Sequence, residues 1–293
     1  LFLINPSGIV LGENARLDIG GSFIGTTADS MRFSDGTEFS AIDPQSEPLL
    51  TVNVPLGLQY GTNPGSIKVK GDGQGIRNFY PDEYPASLRF FDFSIIDTED
   101  ALRAQSDKTL ALVGGDINLE GATLKTAGGR IELGSVGENG LVNLVPTDNG
   151  FTLDYSGVEN FRDIKLSQQA IVDASGEGGG DIQVQGKVVS IKEGSRVGMS
   201  TLRDKQGGDL VVNATKSVEV IGFESALLAS VFPGTNGDGG DLTIDTQELV
   251  VRDGAQIDAS TFDGGIGGNL NVTASETIEV IGETANGRYE NRI

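Results

Sequence analysis

The chain is 293 residues long, more than one compact core usually holds, and its 43 glycines, 9 prolines and absent tryptophan favour one elongated body of short strands and tight turns. With no cysteine and no histidine it lacks a disulfide framework and the commonest metal ligand and general base, which excludes Ser-His-Asp, Cys-His and His-metal chemistry. Lys and Arg number 21 against 42 acidic residues, and a formal charge of −21 disfavours nucleic acid and anionic lipid as partners. No amphipathic helix stands out, and no run of about 20 apolar residues is available to insert into a membrane.

In chain order, Leu1–Leu11 reads as two strands around the turn Asn5-Pro6-Ser7-Gly8. Asn bonds the backbone ahead of it, Pro presets φ at the corner and Gly permits the exit. Leu1, Leu3, Ile9 and Leu11 alternate with Phe2, Ile4 and Val10, also apolar, so strands covered on both faces are expected. A strand carrying Leu17 and Ile19 should follow, then Gly20-Gly21 and a strand through Phe23-Ile24. Residues 30–51 read as short strands making a surface excursion. Gly65-Ser66-Ile67-Lys68-Val69-Lys70 is the first instance of a unit that recurs. The least regular part lies between Gly71 and Asp107, where Phe79, Tyr80, Tyr84, Phe90, Phe91 and Phe93 concentrate the aromatic content. That excursion is either a flap on the main body or a contact surface.

Beyond Leu110 the chain is periodic, and periodicity decides the fold. Gly115-Asp116-Ile117-Asn118-Leu119 matches Gly180-Asp181-Ile182-Gln183-Val184, Gly208-Asp209-Leu210-Val211-Val212, Gly240-Asp241-Leu242-Thr243-Ile244 and Gly268-Asn269-Leu270-Asn271-Val272, the last four starting 28, 32 and 28 residues apart. Each unit holds about three alternating strands bounded by Gly, Asn, Asp or Ser, the grammar of one parallel β-helix coil. Ile182, Leu210, Leu242 and Leu270 should stack at about the 4.8 Å strand spacing, with Val184, Val212, Ile244 and Val272 as the next core column. Each buried aliphatic side chain is worth roughly 1.5–3 kcal/mol, so repeats stabilise their neighbours rather than themselves.

The opening LINPSGIVLGENARLDIGGSF at Leu3–Phe23, LALVGGDINLEGATLKTAGGRIELGSV at Leu110–Val136 and GVENFRDIKLSQQAIVDASGEGGGDIQVQG at Gly157–Gly186 carry a resemblance. The chain resembles the filamentous haemagglutinin-like exoproteins of two-partner secretion, particularly large cyanobacterial-type members. Their Asn-Pro-Asn-Gly-Ile turn corresponds to Asn5, Pro6, Ser7, Gly8 and Ile9, with Ser7 in place of the usual Asn. The resemblance implies an all-β, right-handed parallel β-helix. Residues 1–29 would be the end of the secretion domain, 30–109 coils with the irregular aromatic-rich insertion, and 110–293 a repetitive stalk. It also implies export through an outer-membrane two-partner secretion transporter, a secreted or cell-surface location on a Gram-negative-type bacterium, and an adhesin or surface fibre meeting a cell-surface glycan or protein receptor. An earlier Asn-Pro-Asn-Leu motif and a signal peptide are not in the sequence, so a piece of a longer polypeptide is expected.

Parallel β-helices also serve polysaccharide lyases and hydrolases, which makes a carbohydrate-active enzyme the rival reading. Its candidate carboxylates are Asp253, Asp258 and Asp263, or Asp92, Asp97, Glu99 and Asp100. Asp258 recurs as Asp173 in the similar phrases QIDAS and IVDAS, which reads as a repeated turn residue; no catalytic residue is assigned. A glycan-binding module without turnover, using Phe79–Phe93, is the third reading. Gly71-Asp72-Gly73-Gln74-Gly75 and Gly264–Gly268 lead into no helix, so they are not phosphate loops. No cofactor is expected; calcium bridging Asp181, Asp209 and Asp241 is the alternative to turns in which those side chains bond backbone.

Overall fold

The computed structural model describes residues 1–43, 53–73, 101–262, 265–282 and 293, and among them there is no helix. The chain winds as a parallel β-helix whose rungs fall into three columns. One core column runs through Phe23, Leu110, Ile131, Ile182, Leu210, Leu242 and Leu270, and its neighbour through Leu3, Gly25, Leu112, Leu133, Val184, Val212, Ile244 and Val272. A second stack aligns Ile9, Ile67, Ile117, Ile164, Val189, Val218, Leu249 and Ile278. The third joins Leu102, Leu124, Val172, Val197, Leu227 and Ile257. Apart from Leu3 and Ile278 in the terminal rungs, which are exposed, and Gly25, the side chains of these columns form or pack on one continuous core along the axis, as alternating sequences must when every coil buries its inward positions against the coils on either side.

From residue 181 the first two strands of a coil run together as one long strand, in Asp181–Lys192, Leu210–Ile221, Leu242–Arg252 and Leu270–Ile281. A register shift marks the bend in each pairing, for example between Gly186 and Val188. In earlier coils the strands are separate, as in Thr109–Gly114, Ile117–Glu120 and Thr123–Lys125. Segments inserted between the first and second columns account for the difference in two coils. Ser30–Phe33, Glu38–Ser40, Pro55–Gln59, Leu141–Thr147 and Gly150–Gly157 leave the helix and build a five-stranded antiparallel sheet on its flank.

Under that sheet lies a second core of Ile24, Ala28, Met31, Leu58, Tyr60, Ala111, Val113, Val142, Leu144, Leu153 and Tyr155. The helix positions facing it form two outward columns. One reads Phe2, Ile24, Ala111, Glu132, Gln183, Val211, Thr243 and Asn271; the other reads Ile4, Thr26, Val113, Gly134, Gln185, Asn213, Asp245 and Thr273. Both are largely apolar or small up to residue 134 and mostly polar from 183 onward, so the sequence of the helix itself records where the flanking sheet ends.

Four expectations need correction. Leu3 and Val10 are 41% and 72% exposed, because Phe2–Ile4 and Ile9–Leu11 are the end strands of the large sheet and Val10 points outward beside Lys68. Leu17 and Ile19 pack on the core without a strand forming around them. Gly115-Asp116-Ile117 does not share a column with Gly180-Asp181-Ile182: Ile117 aligns with Ile164 and Val189, while Ile131 aligns with Ile182. The same small-polar-aliphatic spelling serves both corners. Finally, residues 141–157 form an antiparallel hairpin of the flanking sheet rather than part of a stack of coils. The aromatic segment Phe79–Phe93 lies outside the described residues.

Candidate functional site

The turn at Asn5 is built as its residue types dictate. The Gly8 amide donates to the Asn5 carbonyl (3.1 Å), the Ser7 amide donates to Asn5 Oδ1 (3.2 Å), and Gly8 has φ +126°. It is also the first of three stacked corners. The Gly65 amide donates to the Pro6 carbonyl (3.0 Å), and the Gly115 amide donates to the Gly65 carbonyl (2.9 Å). A Cβ on Gly65 would lie 2.4 Å from the Gly8 amide nitrogen, so Asn63-Pro64-Gly65 must keep its glycine to sit against the first turn. Ile9 then enters the core at 6% exposure.

A second corner column explains the aspartates. The Asp209 amide donates to Asp181 Oδ1 (3.0 Å), the Asp241 amide to Asp209 Oδ1 (3.0 Å) and the Asn269 amide to Asp241 Oδ1 (2.7 Å). Each carboxylate therefore accepts from the coil that follows it, which offsets the repulsion between stacked charges. These are bonds between coils, where the sequence reading had bonds within each turn. Among the described residues no group of three or more carboxylates is placed to hold a metal ion.

The enzyme candidates are dispersed or engaged. Asp253 lies 3.7 Å from the Arg252 Nε at the surface. Asp173 and Asp258 occupy the same strand-end column, three rungs apart. Asp173 is paired with the fully buried Lys125 (Nζ to Oδ1 2.9 Å), whose ammonium also donates to the Ser175 carbonyl (2.7 Å). Asp92, Asp97, Glu99, Asp100 and Asp263 lie outside the described residues. The Gly71 and Gly73 amides donate to the Glu120 and Gly121 carbonyls of the next coil, which leaves that glycine-rich stretch without those donors for a phosphate.

Sequence reasoning missed the polar cluster sealed between helix and flanking sheet. Tyr60 exchanges a 2.7 Å hydrogen bond with Thr26 and donates to the Val113 carbonyl (2.9 Å). Glu132, fully buried, accepts from Arg130 Nη1 (3.1 Å) and from the Leu153 amide (3.4 Å), while Arg130 Nη2 reaches Asp181 (2.8 Å). Glu132 Oε2 and the Tyr155 hydroxyl have no hydrogen-bond partner. Burial raises the Glu132 carboxyl to about 8, against the pull of Arg130, and burial, reinforced by Glu132, raises the Tyr155 phenol. The signal available was Asn149-Gly150 between two alternating runs, a hairpin turn whose inner face had to cover something.

A family model described as "TPS secretion domain" matches residues 1–184. The crystal structure of the HMW1 secretion domain from Haemophilus influenzae is similar at 14% identity and a TM-score of 0.46, covering 96% of this chain and 78% of that one. No curated protein matches. The matched span takes in the stacked Asn-Pro corners, the whole flanking sheet and the coils down to the strand beginning at Asp181, and continues well past residue 29. The chain belongs to the TPS secretion domain family: it is a two-partner secretion exoprotein, secreted from a Gram-negative bacterium with an outer-membrane transporter as its partner.

Proposed function

We propose that the chain is the later part of a secretion domain followed by the first coils of a non-enzymatic adhesin or surface fibre, displayed at the cell surface and meeting a glycan or protein receptor. The division is drawn near residue 184, where the outward columns turn from apolar to polar and the flanking sheet has ended. One observation carries the fibre reading. Leu210, Leu242 and Leu270 continue the core in unbroken register with uniform corners, an arrangement that extends by repetition and needs no unique cleft. Asn5, Pro6, Ser7, Gly8 and Ile9 shape a corner that the transporter reads, and do no chemistry. The test pairs two assays on the purified chain. Binding to a glycan array or to cells, without release of reducing sugar or unsaturated uronide from acidic polysaccharides, supports the reading; release of either product would replace it with a carbohydrate-active enzyme.

A further inference from the structure

Among the described residues Gly150–Gly157 is the edge strand of the flanking sheet, with Leu141–Thr147 on one side and no strand on the other. Such an edge exposes unpaired amides and carbonyls unless something covers them. Here the helix covers it with side chains. The Phe151 amide donates to Thr109 Oγ1 and the Phe151 carbonyl accepts from the same hydroxyl, both at 3.1 Å. Two residues on, the Leu153 amide donates to Glu132 Oε1 (3.4 Å).

Glu132 is an unusual choice for that contact, because its other oxygen is sealed without a partner and the nearby Tyr155 hydroxyl is sealed likewise. The approach is close: a Cβ on Gly134 would fall 2.3 Å from the Tyr155 hydroxyl oxygen, so the glycine makes room for the ring. Facing Glu132, its own strand supplies Arg130, and the following rung supplies Asp181, which shares the Arg130 guanidinium. The preceding rung supplies only Ala111. The flanking sheet supplies Tyr155, with Tyr60 behind it.

We propose that Glu132 is a proton-operated latch: protonated, it holds the strand Gly150–Gly157 against the helix, and ionised, it releases that strand's edge. A neutral carboxyl suits this site because only one of its oxygens is met: Oε1 accepts from Arg130, a cation shared with Asp181, and from Leu153, whereas Oε2 is sealed without a donor, so a full charge there would be half unsolvated. The sign follows from the raised carboxyl. Docking is strongest below the unfolded-state value of 4.5, weakens as pH rises, and loses this contribution above about 8.

Amide hydrogen exchange on the full chain tests the latch. After division by intrinsic rates, exchange at Phe151 and Leu153 should rise about tenfold between about pH 7 and about pH 9.5, the size that linkage to one proton gives, while Leu210 stays protected. Glu132→Gln should abolish the rise. Flat exchange in the natural protein, or the same rise in Glu132→Gln, would overturn the proposal. Should that variant not fold, carbon NMR of the Glu132 carboxyl in the natural protein decides: a midpoint near 8 supports the latch, and one near 4.5 overturns it.

Discussion

Lys125 is fully buried beside the largely aliphatic core of the coils, and its charge is tolerated because Asp173 lies directly opposite on the next coil. Opposed charges of this kind hold register, since a slip by one residue would strand both. The Asp173 carboxylate is further fixed by the Ser175 amide (2.6 Å). Removing one partner leaves an unpaired buried charge. Lys125→Met or Asp173→Leu alone should therefore lower stability by about 3–5 kcal/mol, while the double variant recovers most of the loss. Denaturant midpoints of the two single variants and the double one check this; equal and additive losses would show that the two side chains act independently. Asp173 thus holds a structural position, and its likeness to Asp258 extends to the shared column but not to a shared partner, since Asp258 Oδ1 has none.

At the scale of a coil, the corner before each first strand decides which residue types are allowed. A Cβ on Gly240 would lie 1.5 Å from the Gly208 carbonyl oxygen, and one on Gly268 would lie 1.9 Å from that of Gly240. Successive corners meet backbone on backbone, so no side chain can be accommodated by a rotamer change. Gly240→Ala should cost on the order of 3 kcal/mol or more, whereas Gly20→Ala, with nothing within 4 Å of the new methyl, should stay within about 0.5 kcal/mol. Thermal melting of the two variants side by side tests the contrast. These glycines also mark how far the sequence could be read. The Gly-Asp-aliphatic repeat was visible because every coil repeats the same backbone contact and the same pleat, and Ile182, Leu210, Leu242 and Leu270 stand in the register that this spacing implies. The flanking sheet was not visible as a whole, because its strands come from residues 30–59 and 141–157, with coil strands between them. Pairing of Gln59 with Leu141 is set by the path of the helix that separates them in sequence, and no local pattern announces it. Glu132 was hidden for the same reason: on a bare helix its position would face water, as Gln183 and Thr243 do one and three coils later.

On the scale of the whole molecule, stability is distributed along one axis, each coil touching mainly the coils before and after it. The aspartate corners add a direction, because Asp181, Asp209 and Asp241 each offer an acceptor to the coil that follows. A coil already in place thus presents both an apolar floor and a fixed hydrogen-bond acceptor to the next segment, which suits a chain that folds as it emerges from a transporter. Leu242→Asp places an unpaired carboxylate at a fully buried position between Leu210 and Leu270. In a molecule coupled only between neighbours, the damage should stay local. The coils from 242 onward should detach while the span from 1 to 221 keeps its packing, so melting should split into two transitions and limited proteolysis should leave a resistant N-terminal fragment. Export with the partner transporter present should slow as well, since the later coils no longer trap the emerging chain by stacking. A single cooperative transition at lower temperature would instead mean that the coils fold as one unit and that no directional assembly is encoded in their corners.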